Sequence, residues 1–295
     1  MNRLPSLLKG TMFLLLPVAV YGADANWQSQ IAENLGKAGT ASPDGVYRVS
    51  LPRTDLKVKL DGVEIKPALA LGSWLGFMPM GAEVRVMGDL VLTAEEVAQA
   101  MPKLRENGLE ITALHNHLLR NEPFTMYMHV HGHGQPGQLA GSLRDALSAT
   151  KTPFTTPSAG APPDLGFDPA MIERALGYKG KANGGVYAFN IRRAQPVKDD
   201  GMEVPEGLGS AIAINLQSGG NGKIAGTGDF VLTADEVNPV ITALTRAGIE
   251  ITALHNHMLA EEPRLFFMHF WANDQADRVV TGLRAALDKV AVVKQ

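Results

Sequence analysis

Apolar residues recur along this chain with two alternating periods, and the order of those periods is the same in its first half as in its second. Ile31 to Leu35 and Ile172 to Leu176 follow a short helical spacing, closed by Gly36 and Gly177, which suit the left-handed turn that ends a helix. Tyr47 to Leu51, Leu56 to Leu60 and Ala68 to Phe77 read as strands joined by Asp61-Gly62 and similar turns, the third a continuous apolar run and so the most buried. Val84 to Leu92 is a further strand. It ends at Thr93-Ala94-Glu95-Glu96, a capping box in which the threonine oxygen and the Glu96 carboxylate serve free backbone donors at a helix start. The helix that follows places Val97, Ala100, Met101 and Leu104 on one face and stops at Gly108, as Val237, Val240, Ile241 and Leu244 do before Gly248. Pro102 removes a backbone donor inside it and predicts a kink or an early end.

Leu109 to Leu118 then reads as a strand, Leu119 to Pro123 as a turn and Phe124 to His133 as the returning strand of a hairpin. Leu139, Leu143 and Leu147 mark a last helix, mirrored by Val279, Leu283 and Leu287. The order strand, helix, strand, strand, helix is a ferredoxin-like β-α-β-β-α portion with extra N-terminal strands. Gly45-Val46-Tyr47 returns as Gly185-Val186-Tyr187, Gly88-Asp89 as Gly228-Asp229 and Glu110 to His117 as Glu250 to His257, each at a spacing of 140 residues. The fold class is therefore α+β, a tandem duplication of one unit with an antiparallel sheet and packed helices. The repeats span 26–148 and 166–295, and the Pro- and Thr-rich stretch 149–165 reads as a linker.

Composition narrows the setting. A formal charge of -3 and a pI near 6.2, without a basic run, leave nothing to neutralise a phosphate backbone, so nucleic acid is excluded as a partner. Residues 1–25 carry Arg3 and Lys9, an apolar run from Met12 to Val20 and small residues at Gly22, Ala23 and Ala25, the three parts of a secretory signal. Cleavage after Gly22 or after Ala25 fits. The apolar run falls short of the ~20 residues a spanning helix needs, so no membrane segment is expected once the signal is removed. A periplasmic or secreted protein follows. Its lack of cysteine removes disulfides, a lipid-modified cysteine and thiolate ligands together.

All eight histidines lie in or just after the two identical stretches. His115 and His117 share one face of their strand; on the returning strand Tyr127, His129, His131 and His133 share a face. A turn centred near Asn121 sets His115 opposite Tyr127 and His129 opposite Ala113, so that His115 and His129 become diagonal neighbours about 7–8 Å apart at the backbone. The second copy keeps His255, His257 and His269 but has Trp271 and Asn273 in place of His131 and His133. Three neutral imidazoles with an open position suit zinc, and histidine also suits copper, to which Met126, Met128 and Met268 in the same hairpins lend weight. Those methionines have a plainer role, since Met126 and Met128 fall on the face opposite His129, toward a helix. The expected metal site of each repeat is thus His115, His117 and His129, or His255, His257 and His269, with His131 and His133 as lesser candidates. Glu122 and Glu262 precede a proline in each hairpin turn and are candidates for a fourth ligand or a general base, against the alternative of solvated turn residues. Asp89 and Asp229 read as turn or cap residues.

The run Gly-Asp-(Leu/Phe)-Val-Leu-Thr-Ala, through Thr-Ala-Leu-His-Asn-His to Met-His, resembles the LppY/LpqO family of exported bacterial proteins, over roughly 26–147 and 168–287. The resemblance implies export and supplies no substrate, reaction or catalytic residue. No phosphate-binding glycine loop, Gly-x-Ser-x-Gly elbow or cysteine nucleophile occurs. Two functions remain: transition-metal binding, with or without a reaction, and binding of a small organic or cell-envelope ligand by the duplicated sheets with histidines and Tyr127 as polar contacts. Histidines that merely hydrogen-bond within a scaffold are the third reading. Oligomeric state is not legible.

Overall fold

A computed structural model describes residues 27–155 and 163–295. The expected signal segment, 1–25, and the middle of the expected linker, 156–162, lie outside the described residues. The first repeat comprises α1 (Trp27–Leu35), β1 (Thr40–Ala41), β2 (Tyr47–Pro52), β3 (Lys59–Leu60), β4 (Val63–Glu64), α2 (Pro67–Ala70), β5 (Gly72–Met80), β6 (Glu83–Leu92), α3 (Ala94–Glu106), β7 (Glu110–His115), β8 (Met126–Gly134) and α4 (Pro136–Leu147). The second comprises α5 (Pro169–Leu176), β9 (Lys181–Asn183), β10 (Val186–Ile191), β11 (Lys198–Asp199), β12 (Met202–Glu203), β13 (Ile212–Gly220), β14 (Lys223–Leu232), α6 (Ala234–Arg246), β15 (Glu250–His255), β16 (Glu261–Glu262), β17 (Phe266–Gln275) and α7 (Ala276–Leu287).

Each repeat builds a six-stranded antiparallel sheet, ordered β1-β2-β5-β6-β8-β7 and β9-β10-β13-β14-β17-β15. Within the first, β6-α3-β7-β8-α4 is the expected ferredoxin-like portion, and β5, which precedes it in the chain, flanks β6. Side-chain alternation divides each sheet into two faces. On β6, Val84, Val86, Leu90 and Leu92 join Met128 and Val130 of β8 beneath Ala100, Leu104, Leu139 and Leu143 of the helices. Arg85, Met87, Asp89 and Val91 turn the other way, toward the second repeat, and Met87 enters that repeat's core.

The second repeat supplies the cover for that face. The arm around β3, β4 and α2 reaches across the molecule: Gln217 donates to the Glu64 carbonyl at 2.8 Å, Asn215 to that of Leu69 at 3.2 Å, and Lys66 to that of Gly185 at 2.8 Å. In return the second repeat's chain near Gly207 accepts from Arg48 at 2.6 Å and donates to Asp44 at 2.8 Å. Leu60, Leu69, Val91, Tyr127, Val186, Ala225 and Trp271 form one apolar cluster drawn from both repeats.

Three local expectations change. The run from Ala68 is not strand throughout, because Pro67 opens a short helix whose backbone bond from Leu71 to Pro67 closes it before β5 begins. α3 continues past Pro102 to Glu106, since Pro102 and the Ala98 carbonyl it leaves without a donor both lie on the solvent side. The start of the expected linker is fastened to the first repeat: the Lys151 N–H donates to Glu96 at 2.8 Å and Arg144 stacks on Phe154 at 3.7 Å.

Candidate metal centre

The hairpin register is the expected one. His115 pairs with Tyr127 and Ala113 with His129, and in the second repeat His255 pairs with Phe267 and Ala253 with His269. This places the imidazoles on the face each sheet turns toward the other repeat. The expectation of one histidine set per repeat is therefore joined by a feature that spacing along the chain does not reveal, because the two sets meet. His115 stacks on His255 with ring centroids 3.5 Å apart, His117 on His269 at 3.7 Å and His129 on His257 at 3.9 Å. Within a repeat the rings are further apart, at 5.0 Å for His115 and His117 and 5.2 Å for His255 and His257.

The identical letters Thr-Ala-Leu-His-Asn-His make the joint. Thr112 donates to the His257 carbonyl and Thr252 to the His117 carbonyl, both at 2.6 Å. The Asn116 side chain donates to the Thr252 carbonyl at 2.9 Å and that of Asn256 to the Thr112 carbonyl at 2.8 Å. A two-fold-related exchange needs the same residues on both sides, which is why threonine and asparagine return together with the histidines. Tyr127 and Phe267 close the sides, each stacked at 3.4 Å on His117 and His257 respectively.

Two aspartates complete the cluster. Asp89 lies opposite His129 across β6 and β8, and Asp229 opposite His269 across β14 and β17. Asp89 Oδ2 is 3.5 Å from His117 Nε2 and 3.9 Å from His129 Nε2; Asp229 Oδ2 is 3.1 Å from His257 Nε2. Both were expected to be turn or cap residues, but they sit inside strands and face the imidazoles. Strand alternation holds the signal that finds them: with Val84, Val86, Leu90 and Leu92 facing the helices, Asp89 must face away. Gly88 and Gly228 beside them allow close strand approach, since a Cβ at Gly88 would come within 2.7 Å of the Trp74 carbonyl oxygen and one at Gly228 would overlap that of Ala213.

Three donor groups lie within coordination reach, their ligand atoms all within 4.8 Å of one another: Asp229 with His255, His257 and His269; His115 with His129 and His255; and His115 with His117 and His269. The Nε2 of all six histidines and the Oδ1 of both aspartates are buried without a hydrogen-bond partner, the 3.1 Å approach of His257 Nε2 to Asp229 lacking hydrogen-bond geometry. Two of the rings are oriented through their other nitrogen, His269 Nδ1 on the Gly228 carbonyl at 2.8 Å and His255 Nδ1 on that of Asn256 at 2.9 Å. A ring held by Nδ1–H presents Nε2 as a lone pair, the form that ligates a metal.

Burial governs the charge state. It holds His115, His117, His129 and His257 far below the usual imidazole range, with neighbouring histidines adding to the effect. It lowers His269 to about 4, although Asp229 opposes the shift. Burial, then the negative charge of Asp229, pushes Asp89 up to about 8 against the pull of Arg48; burial raises Asp229 as well.

Residues 29–149 and 170–289 each match the domain described as Domain of Unknown Function (DUF1259). The chain belongs to the DUF1259 family. No curated protein matches it. Among solved structures it is similar to PduB, a trimeric bacterial microcompartment shell protein, at 13% identity over 87% of this chain and 96% of that one, with a TM-score of 0.22. It is also similar to EtuB from Clostridium kluyveri, at 11% identity over 85% and 89% of the two chains, with a TM-score of 0.21. Likenesses that weak bear on neither fold nor function.

The remaining candidates fall outside the DUF1259 cluster. Glu122 and Glu262 are exposed and are held through their backbones, which pair with Lys59 and Lys198. His131 Nδ1 lies 3.8 Å from Asp199, which forms a buried ion pair with Arg85; burial lowers His131 to about 3. His133 is exposed opposite Arg85. Met128 packs in the helix-side core, as its strand position predicts.

Proposed function

We propose that this DUF1259 protein is an exported transition-metal-binding protein, similar to the LppY/LpqO proteins, whose histidines hold zinc or copper between the two repeats. The observation that carries the reading is the burial of six Nε2 atoms without hydrogen-bond partners, facing two aspartates. Orphaned buried polar atoms are costly, and a concentration of them on imidazole and carboxylate is what an ion would satisfy. A scaffold role for the histidines is disfavoured for the same reason, since hydrogen bonds would occupy these atoms. The alternative of a small organic ligand is disfavoured by the ring stacking at 3.5–3.9 Å, which leaves no room between the imidazoles. The same enclosure favours binding over turnover, because a catalytic ion keeps a position open to substrate. Export rests on the secretory pattern of 1–25, and the setting is periplasmic or secreted.

The test is metal content and affinity of the chain from residue 26 onward, measured by elemental analysis and competition titration with zinc and with copper. Wild type is expected to bind, and His115→Ala/His255→Ala, which removes the central stacked pair, to lose binding while retaining its circular dichroism. No uptake by wild type, or uptake unaffected by the double substitution, would reject the reading.

A further inference from the structure

The orphaned donors come in pairs. Asp89 matches Asp229, His115 matches His255, His117 matches His257 and His129 matches His269, each 140 residues apart and each with the same unsatisfied atom, Oδ1 or Nε2. Eight donors exceed what one transition ion takes, since such ions hold four to six ligands in sites of this type. Divided by repeat, they make two sets of three imidazoles and one carboxylate.

The sets differ in preparation. The four donors of the second repeat already lie within 4.8 Å of one another, whereas His115 of the first repeat is grouped with His255 and with His269 of the other. His255 and His269 have their Nδ1 atoms on backbone carbonyls, while both nitrogens of His115 are without partners. Rings oriented beforehand lose less freedom on binding. An ion on the second-repeat set withdraws His255 and His269 from the mixed groups, and so leaves His115, His117 and His129 with Asp89 as a second set.

We infer that the centre holds two metal ions per chain, filled in order: first on Asp229, His255, His257 and His269, then on Asp89, His115, His117 and His129. This rests on the metal-binding reading above. It adds a stoichiometry, an order of filling and a carboxylate to each set. In electrostatic terms the two carboxylates offset part of the charge that two adjacent buried cations would carry, which gives Asp89 and Asp229 a reason to be buried among the imidazoles.

Native mass spectrometry of the folded chain during zinc titration tests the inference, with competition titration supplying the affinities. Two ions in two steps are expected. Asp229→Asn should weaken the first step about 10-fold or more, a loss at least as large as that seen when a partner of a metal ligand is removed. Asp89→Asn should weaken only the second. Counting ions on folded species keeps the result readable if a variant folds in reduced yield, and His269→Gln and His129→Gln provide the same comparison without touching the carboxylates. A single ion at saturation, or equal effects of the two aspartate substitutions on both steps, would overturn the two-site order while leaving metal binding intact. No ion at all would overturn both.

Discussion

A buried imidazole contributes to this molecule through what it cannot do, which is take up a proton cheaply. Free histidine titrates near 6.5, and every one of the six clustered rings titrates lower in the folded chain, His269 at about 4. For a base whose folded value is depressed, the unfolded chain binds protons first, so stability is full above about pH 6.5 and falls as pH falls below it. Asp89, raised to about 8, and Asp229 act in the opposite sense, since the folded chain then holds protons that the unfolded chain has lost. Two carboxyls stand against six imidazoles, so the net slope below pH 6.5 belongs to the histidines. Metal-free protein is therefore expected to lose melting temperature steadily from pH 6.5 to 4.5, and His115→Ala/His255→Ala to lose less; a flat profile in differential scanning calorimetry would contradict the burial of neutral rings. Histidine as the working residue type was legible from its restriction to two stretches. Asp89 and Asp229 were legible only in part: an aspartate after glycine suits a turn, yet the expected strand Val84 to Leu92 already runs through Asp89. Alternation gives the face, and only tertiary structure sets that face among the imidazoles.

The helices α3 and α6 show how an element is tied to the rest of its repeat. In each, the capping-box glutamate accepts from more than its own helix: Glu96 takes Arg53 at 2.7 Å and the backbone N–H groups of Thr93 and Lys151, and Glu236 takes Arg193 at 2.7 Å with those of Thr233 and Ala291. Burial alone would raise both carboxyls; the arginine and backbone donors overcome it and hold them below the usual range. Arg53 is fully buried and has two counter-charges, Glu96 and a two-point pair with Asp55 at 2.8 and 2.9 Å, so removing Glu96 takes away one of the two. Glu96→Gln is expected to cost roughly 2 kcal/mol in urea denaturation, the size of a lost charge-assisted hydrogen bond. A change under about 0.5 kcal/mol would show that Asp55 alone satisfies the arginine. The capping box and the helix face were readable because they depend on neighbours three and four residues apart. The arginine, 43 residues away in the chain, was not.

At the scale of the molecule, each sheet has helices on one face and the other repeat on its second. A repeat alone would leave Met87, or Ala225 and Trp271, open to water along with its histidines. Chains comprising 26–155 and 163–295 are each expected to self-associate or precipitate when expressed separately, and to form a one-to-one complex with restored metal binding when co-expressed. Size-exclusion chromatography with light scattering would detect this; two well-behaved monomers that each bind metal alone would show that the joint is dispensable. The halves of the joint are not equivalent. Arg85, Asp199 and His131 meet where Ala225, Leu60 and Trp271 stand in the related position, a buried ion pair on one side against an apolar contact on the other.

The local periods of the chain determined by themselves most elements, though not α2 or the full length of α3, together with the duplication, the hairpin register and the face on which the histidines lie, because strand alternation, helix spacing and capping act over a few residues. Tertiary structure decided that the two histidine sets adjoin, that Thr112, Thr252, Asn116 and Asn256 bond across the repeats, and that Asp89 and Asp229 join the cluster. Those contacts span 130 residues or more or cross from strand to strand, and no period along the sequence encodes which face of one repeat will cover the other.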